Sequence, residues 1–185
     1  YFGYLAGYRA VHDAGHDPLI AGFLRRYMDE EATLTLAPVP GVDLNAYKSR
    51  LIERFGNANV ANTVVRLCAE SSDRIPKWLM PVVRENLAAG RPVELSAAIV
   101  ASWARYAEGV DEQGAAIDVV DRLAPRVMAA AARYPQVPDA FIADRELFGN
   151  AIDAPRFREA YLSVLGDLHQ LGARATLAKL VQPTR

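Results

Sequence analysis

Apolar residues recur along this chain at the three- and four-residue spacing of helices, not the two-residue spacing of strands. Asp17-Pro18 opens one such stretch, an N-cap followed by proline at the first helical position, where a missing N–H costs nothing. Leu19, Ile20, Phe23, Leu24, Tyr27 and Met28 then fall on one face, with Arg25, Arg26, Asp29 and Glu30 opposite. Pro38 to Gly41 reads as a turn. Asp43 caps a next helix whose inward stripe is Tyr47, Leu51, Ile52 and Phe55, broken by Gly56-Asn57-Ala58-Asn59.

A stripe of Val60, Val64, Val65 and Cys68 predicts a helix ending at Ser71-Ser72. A helix after Pro76 runs through Leu79, Val82, Val83 and Leu87 and is kinked or interrupted at Pro81. Residues 94–108 place Leu95, Ile99, Trp103 and Tyr106 on one side. The loop Asp111 to Gly114 precedes an Ala-rich helix over 118–133, and further helices are expected over 137–147, 154–171 and 172–181, punctuated by Gly149 and Gly172. Only Thr33 to Leu36 hints at strand alternation. The pattern predicts an all-α, compact multi-helix domain covering 1–185, without internal repeats or a low-complexity linker.

Composition narrows the function classes. At 185 residues the chain is one domain by size and long enough to bury a core unaided. With 21 Lys+Arg against 22 Asp+Glu, it lacks the basic surplus that nucleic-acid binding needs. No apolar run reaches the roughly 20 residues of a membrane helix. The single cysteine, Cys68, excludes an internal disulfide and a thiolate metal cluster, fits a reducing, cytoplasmic setting, and on an apolar stripe reads as an inert core thiol. The chain opens Tyr-Phe-Gly-Tyr without an initiator Met or a basic leader, and is read as a segment of something longer.

Candidate chemistry is sparse. Neither a glycine-rich phosphate loop nor a nucleophile elbow is present. His12 and His16, four apart, would share a helix face as zinc ligation requires, but Gly15 and the helix start at Asp17-Pro18 imply a helix end between them. No third ligand is near, so the expectation is no metal and two histidines bonding at a helix end. His169 belongs to surface or packing. The richest stretch runs from Arg54 to Pro81, where Arg66 and Arg74 flank a helix–loop corner. Two converging guanidiniums suit hydroxyls, a carboxylate or a phosphate. The alternative is a surface triplet in which both pair with Glu70.

On this stretch the chain resembles the C-terminal domain of the mannitol dehydrogenase family, the polyol-specific long-chain dehydrogenases that include uronate reductases. The family pattern is an Arg-Phe-x-Asn-Pro turn, a helix arginine, then Asp-Gly-Ser-x-Lys-x-Pro. Arg54-Phe55-Gly56-Asn57 matches the turn, with Ala58 for proline, and Arg66 matches the helix arginine. Glu70-Ser71-Ser72 stands for Asp-Gly-Ser, and Arg74-Ile75-Pro76 for Lys-x-Pro. Similar segments follow the same order from Tyr4-Leu-Ala-Gly7-Tyr8 through Phe23 to Glu31, Trp103-Ala-Arg-Tyr-Ala-Glu-Gly and Asp111-Glu-Gln-Gly114 to Leu147-Phe148-Gly149.

The resemblance implies a helical C-terminal domain like those of 6-phosphogluconate-dehydrogenase-like enzymes, partnered by an N-terminal dinucleotide-binding (Rossmann) domain absent from this sequence. It implies an oxidoreductase that uses NAD or NADP to interconvert a mannitol-like polyol or an aldonate with the ketose or ketouronate. The family's catalytic lysine, asparagine and histidine, spaced K-x4-N-x2-H, would fall just before residue 1, so no catalytic residue is expected here and the chain alone is expected to be inactive. Arg66, Arg74 and Glu70 are then substrate-binding candidates, and a double guanidinium site suits a uronate at least as well as mannitol. The rival expectation is a helical interaction or dimerisation module with no catalytic role. The oligomeric state stays open.

Overall fold

The computed structural model describes residues 1–38 and 40–182. Its helices are arranged around α8 (Glu94–Ala107), whose Leu95, Ala97, Ala98, Val100, Ala101, Trp103, Ala104, Tyr106 and Ala107 are all buried. Five alanines in that run let neighbouring helices approach closely, and Trp103 and Tyr106 fill the space left over. Trp103 meets Phe141 edge-on at 5.0 Å and Phe148 at 5.8 Å. The long α11 (Pro155–Leu171) lies along α8 and contributes Phe157, Tyr161, Leu165 and Leu168 to the same core. The last helix, α12 (Ala173–Val181), packs against α11 and against α3 (Pro18–Tyr27).

Two short helices, α1 (Phe2–Leu5) and α2 (Val11–His16), precede α3. Asp17 caps α3 as its sequence predicts, accepting from the Leu19 N–H at 2.8 Å with Pro18 behind it. The helix widens into a π-turn over Met28–Ala32 and then tightens into a 3-10 turn over Thr33–Thr35, where the sequence hinted at strand. That extension delivers Glu31, fully buried, to the N-terminus of α8, where it accepts from Leu95 N–H at 2.6 Å and Ser96 N–H at 2.9 Å.

Of the expected stripe of α4 (Leu44–Phe55), Leu51, Ile52 and Phe55 are half-buried as expected, but its first position is not. Tyr47 is 56% exposed, whereas Lys48 is 7% exposed. The middle of the helix faces Asp29, whose carboxylate draws the Lys48 ammonium inward. Nor does the first histidine pair straddle a helix end. α2 runs unbroken through Gly15 to His16, and Gly15 instead lets α2 touch α4: a Cβ there would stand 2.9 Å from the Phe55 carbonyl carbon.

Downstream, α5 (Val64–Cys68) begins four residues later than the stripe from Val60 suggested, capped by Thr63. It is followed by α6 (Ser71–Arg74), a π-turn at Ile75–Leu79 and α7 (Met80–Ala88), with Pro81 in its first turn. The Ala-rich helix is shorter than expected: α9 spans Ala124–Ala131 with Pro125 in its first turn, and 118–123 is not helical because that stretch bonds to residues 70–73. Over 137–147 the chain makes turns until Asp144 caps α10 (Arg145–Phe148). Strands are absent among the described residues, which contain only two isolated bridges. No described helix is long and apolar enough to cross a membrane.

Candidate functional site

The corner that carries Arg66 and Arg74 is built from α5, α6 and the loop that follows α8. Val64 and Cys68 point into the core of α5, at 6% and 4% exposure, which turns Arg66 and Leu67 outward to solvent. Thr63 Oγ1 accepts from the Arg66 N–H at 3.4 Å. Arg74, at the end of the next helix, folds back so that its guanidinium donates to the Leu67 carbonyl at 3.2 Å. A cation thereby sits on the carbonyl end of α5, where the helix dipole favours it, directly beside the residue that neighbours Arg66.

The surface triplet does not form. Glu70 Oε2 accepts instead from the Arg122 N–H at 3.2 Å, and the Arg122 side chain pairs with Asp73 at 2.9 Å. Neither Arg66 nor Arg74 has a carboxylate partner among the described residues. Both stand exposed, with their donors available.

Among the described residues, Glu70 is the one non-glycine residue in the left-handed region, φ 53° and ψ 40°. That conformation is uncommon for a glutamate and persists only where its surroundings enforce it. The family pattern puts glycine at the next position, where this chain has the helical Ser71. Ser71 and Ser72 behind it are 1% and 2% exposed. Ser71 Oγ donates to the Cys68 carbonyl at 2.8 Å and receives the Tyr1 hydroxyl. Burial pushes the Tyr1 phenol above its ordinary range, outweighing the Ser71 bond and the weak opposing influence of Arg74. Tyr1 also stacks on Trp103 at 6.3 Å.

Two features of this corner have no counterpart in the sequence reading. Asp121 lies in what the periodicity assigns to a helix, and its only local signal is the turn bond from Leu123 N–H, 2.8 Å. Trp78, one turn beyond Arg74, is 74% exposed, with Leu67 and Val120 also solvent-facing nearby.

The other sequence candidates lie elsewhere. His12 Nε2 sits 3.4 Å from Asp13, and His16 packs over Gly56. His169 stacks on Tyr134 at 3.9 Å and bonds Glu108 at 2.9 Å, a packing role. Cys68 is a buried free thiol. Among the described residues, no three His, Cys, Asp or Glu side chains gather to hold a metal. A cleft of about 450 Å³ between the ends of α3, α8, α11 and α12 is rich in charge, but Arg26 is paired with Glu30, Arg156 with Glu94 and Lys179 with Asp167. Its cations are paired with carboxylates, whereas Arg66 and Arg74 of the α5–α6 corner have no carboxylate partner among the described residues.

The model of the mannitol dehydrogenase C-terminal domain matches residues 1–168. The chain belongs to the mannitol dehydrogenase family. Mannitol 2-dehydrogenase of Phaeosphaeria nodorum is 33% identical over 180 residues, which cover 97% of this chain and 31% of that protein. A mannitol dehydrogenase of Saccharomyces cerevisiae is 37% identical over 155 residues, 82% of this chain and 30% of that protein. Pseudomonas fluorescens mannitol 2-dehydrogenase, solved as a ternary complex with NAD and D-mannitol, superposes with a TM-score of 0.94 at 38% identity, over 99% of this chain and 38% of that one. A D-sorbitol dehydrogenase in substrate-free form shares the fold, TM-score 0.84 at 20% identity. The chain thus spans about a third of the length of its mannitol dehydrogenase relatives, and its all-α fold is that family's C-terminal domain.

Proposed function

We propose that this chain is the substrate-side domain of an NAD-dependent polyol oxidoreductase, and that Arg66 and Arg74 bind the substrate's oxygens. The reading is carried by one observation: the likeness over 99% of the chain to a mannitol 2-dehydrogenase whose structure contains NAD and D-mannitol. The uncommitted guanidiniums of the α5–α6 corner support it. The reaction removes a hydride from the carbinol carbon and a proton from its hydroxyl, turning a secondary alcohol into a ketone. NAD supplies the hydride acceptor when bound. The described residues of this chain include no strand and the sequence no glycine-rich turn, so they do not fit a dinucleotide-binding half; we place NAD mainly on an N-terminal domain of the longer protein.

What this chain contributes is binding and orientation. Arg66 and Arg74 donate to substrate hydroxyls, to the forming carbonyl or to a terminal carboxylate, and Glu70 is a third ligand through Oε1, the oxygen not engaged by Arg122. Two arginines on one corner favour an aldonate or ketouronate over a neutral polyol, because each charge-assisted bond to a carboxylate exceeds one to a hydroxyl. In the cell this chemistry belongs in the cytoplasm. The test is nicotinamide reduction by the full-length protein with mannitol and with mannonate, using NAD and then NADP. Turnover with either substrate, lost on Arg66→Ala, supports the reading.

A second reading rests on the exposed apolar side chains Trp78, Leu67 and Val120, which suit a docking face. In that case the domain serves interaction or dimerisation only, and substitution of both arginines would leave any turnover of the full-length protein unchanged.

A further inference from the structure

We propose that Asp121 is a positioning residue for Arg74, holding the turn that aims this guanidinium; the inference rests on the reading of Arg74 as a substrate ligand.

The backbone geometry carries the proposal. Helix α6 begins at a residue that provides no side-chain cap of its own, since Glu70 is left-handed and its carboxylate is turned to Arg122. Asp121, from a loop about fifty positions further on, takes over that task. Its Oδ2 accepts from the Ser72 N–H at 2.8 Å and its Oδ1 from the Ser72 hydroxyl at 2.5 Å. The flanking residues close the seam: Glu70 N–H donates to the Val120 carbonyl at 2.9 Å, and Arg122 bonds both Glu70 and Asp73. Asp121 is itself immobilised by the Leu123 N–H. Arg74 follows Ser72 by two residues in the same helical turn, so a carboxylate gripping Ser72 at two atoms fixes both the axis and the rotation of the segment that presents Arg74.

Without this grip, the left-handed Glu70 keeps only the Val120 and Arg122 bonds, and the turn loosens toward ordinary backbone. Arg74 would then lose its seat on the Leu67 carbonyl and sample positions away from Arg66. Misplacement of a positioning group by about 1 Å can cost up to about a hundredfold in catalytic efficiency. Asp121 reaches the substrate only through Arg74, which distinguishes it from a ligand.

The experiment is a double-mutant cycle in the full-length protein, with Asp121→Asn and Arg74→Ala singly and together. Asparagine keeps the shape but offers one acceptor oxygen where three donors, the Ser72 N–H, the Ser72 hydroxyl and the Leu123 N–H, share two. The expected result is a KM raised about tenfold by Asp121→Asn with kcat within about twofold, and a further change below about twofold when Arg74 is already alanine. Ser72→Ala, which removes only the hydroxyl donor, should move KM in the same direction by less, and decides the matter if Asp121→Asn fails to fold. Equal effects of Asp121→Asn with and without Arg74, or an unchanged KM, overturn the proposal. If Arg74→Ala itself leaves kinetics untouched, the underlying assignment of Arg74 falls instead.

Discussion

The carboxylate of Glu31 receives both the backbone N–H and the hydroxyl of Ser96, sixty-five positions later in the chain. Together with the Leu95 N–H this makes Glu31 the cap of the central helix, α8, supplied from the extension of α3. Burial pushes its carboxyl above the ordinary 4.5, and the three hydrogen bonds only partly oppose the rise. The folded protein therefore holds that proton more tightly than the unfolded chain. By linkage, Glu31 contributes stability at low pH that is lost as pH rises from about 4.5 through the raised value.

Glu31→Gln should flatten that portion of the pH–stability curve, while costing about 1–2 kcal/mol at neutral pH because an amide N–H₂ is set against waiting donors. Thermal melts of both proteins across the acidic range test this. Parallel curves would show that the titration lies elsewhere.

Asp17 behaves in the opposite sense. Burial would raise its carboxyl, but the Tyr8 hydroxyl, the Leu19 N–H and Arg174 overcome it and hold the group below the usual carboxylate range. Its stabilisation is present above the unfolded value and disappears as pH falls through the lowered one. Asp17→Ala removes a helix cap as well, and a loss of about 1 kcal/mol is expected near neutrality, shrinking on acidification. Chemical denaturation at two pH values would measure both.

Gly15 is required by contact, since the space for a Cβ is taken by the Phe55 backbone at 2.9 Å. Gly15→Ala should destabilise by about 1–3 kcal/mol, as overpacking does, in spite of alanine's better helix propensity. A melting temperature equal to or above that of the parent would show that α4 simply moves away.

For the corner itself, Arg66→Ala in the full-length protein is expected to lower kcat/KM more than about tenfold, about 1.4 kcal/mol of transition-state stabilisation. Arg74→Ala should cost less, and chiefly in KM. Steady-state kinetics at saturating cofactor separate the two.

The sequence made visible whatever depends on near neighbours. The Asp17-Pro18 start, the Asp43 cap and the stripes of α3 and α8 follow from three- and four-residue spacing, and they lie where that spacing puts them. What it hid are contacts made across the fold. Lys48 reads as surface until Asp29 is opposite it, and Glu31 and Asp121 look like ordinary surface acids though each caps a distant helix. The 118–123 segment has helical composition, but its backbone groups are claimed by residues 70–73. At the corner, the arginines were legible as a pair; Glu70 read as their partner, and its acceptor proves to be taken by a backbone N–H that no local pattern announces.

The left-handed turn at Glu70 is shaped by loop bonds to residues 120–122 and meets the aromatic packing of Trp103, Phe141 and Phe148 through Tyr1, which bonds Ser71 and stacks on Trp103. On the proposed reading, side chains at 66, 70 and 74 could be exchanged to suit a longer, shorter or more acidic substrate while the central helix keeps its neighbours, so that a change of diet need not be a change of skeleton.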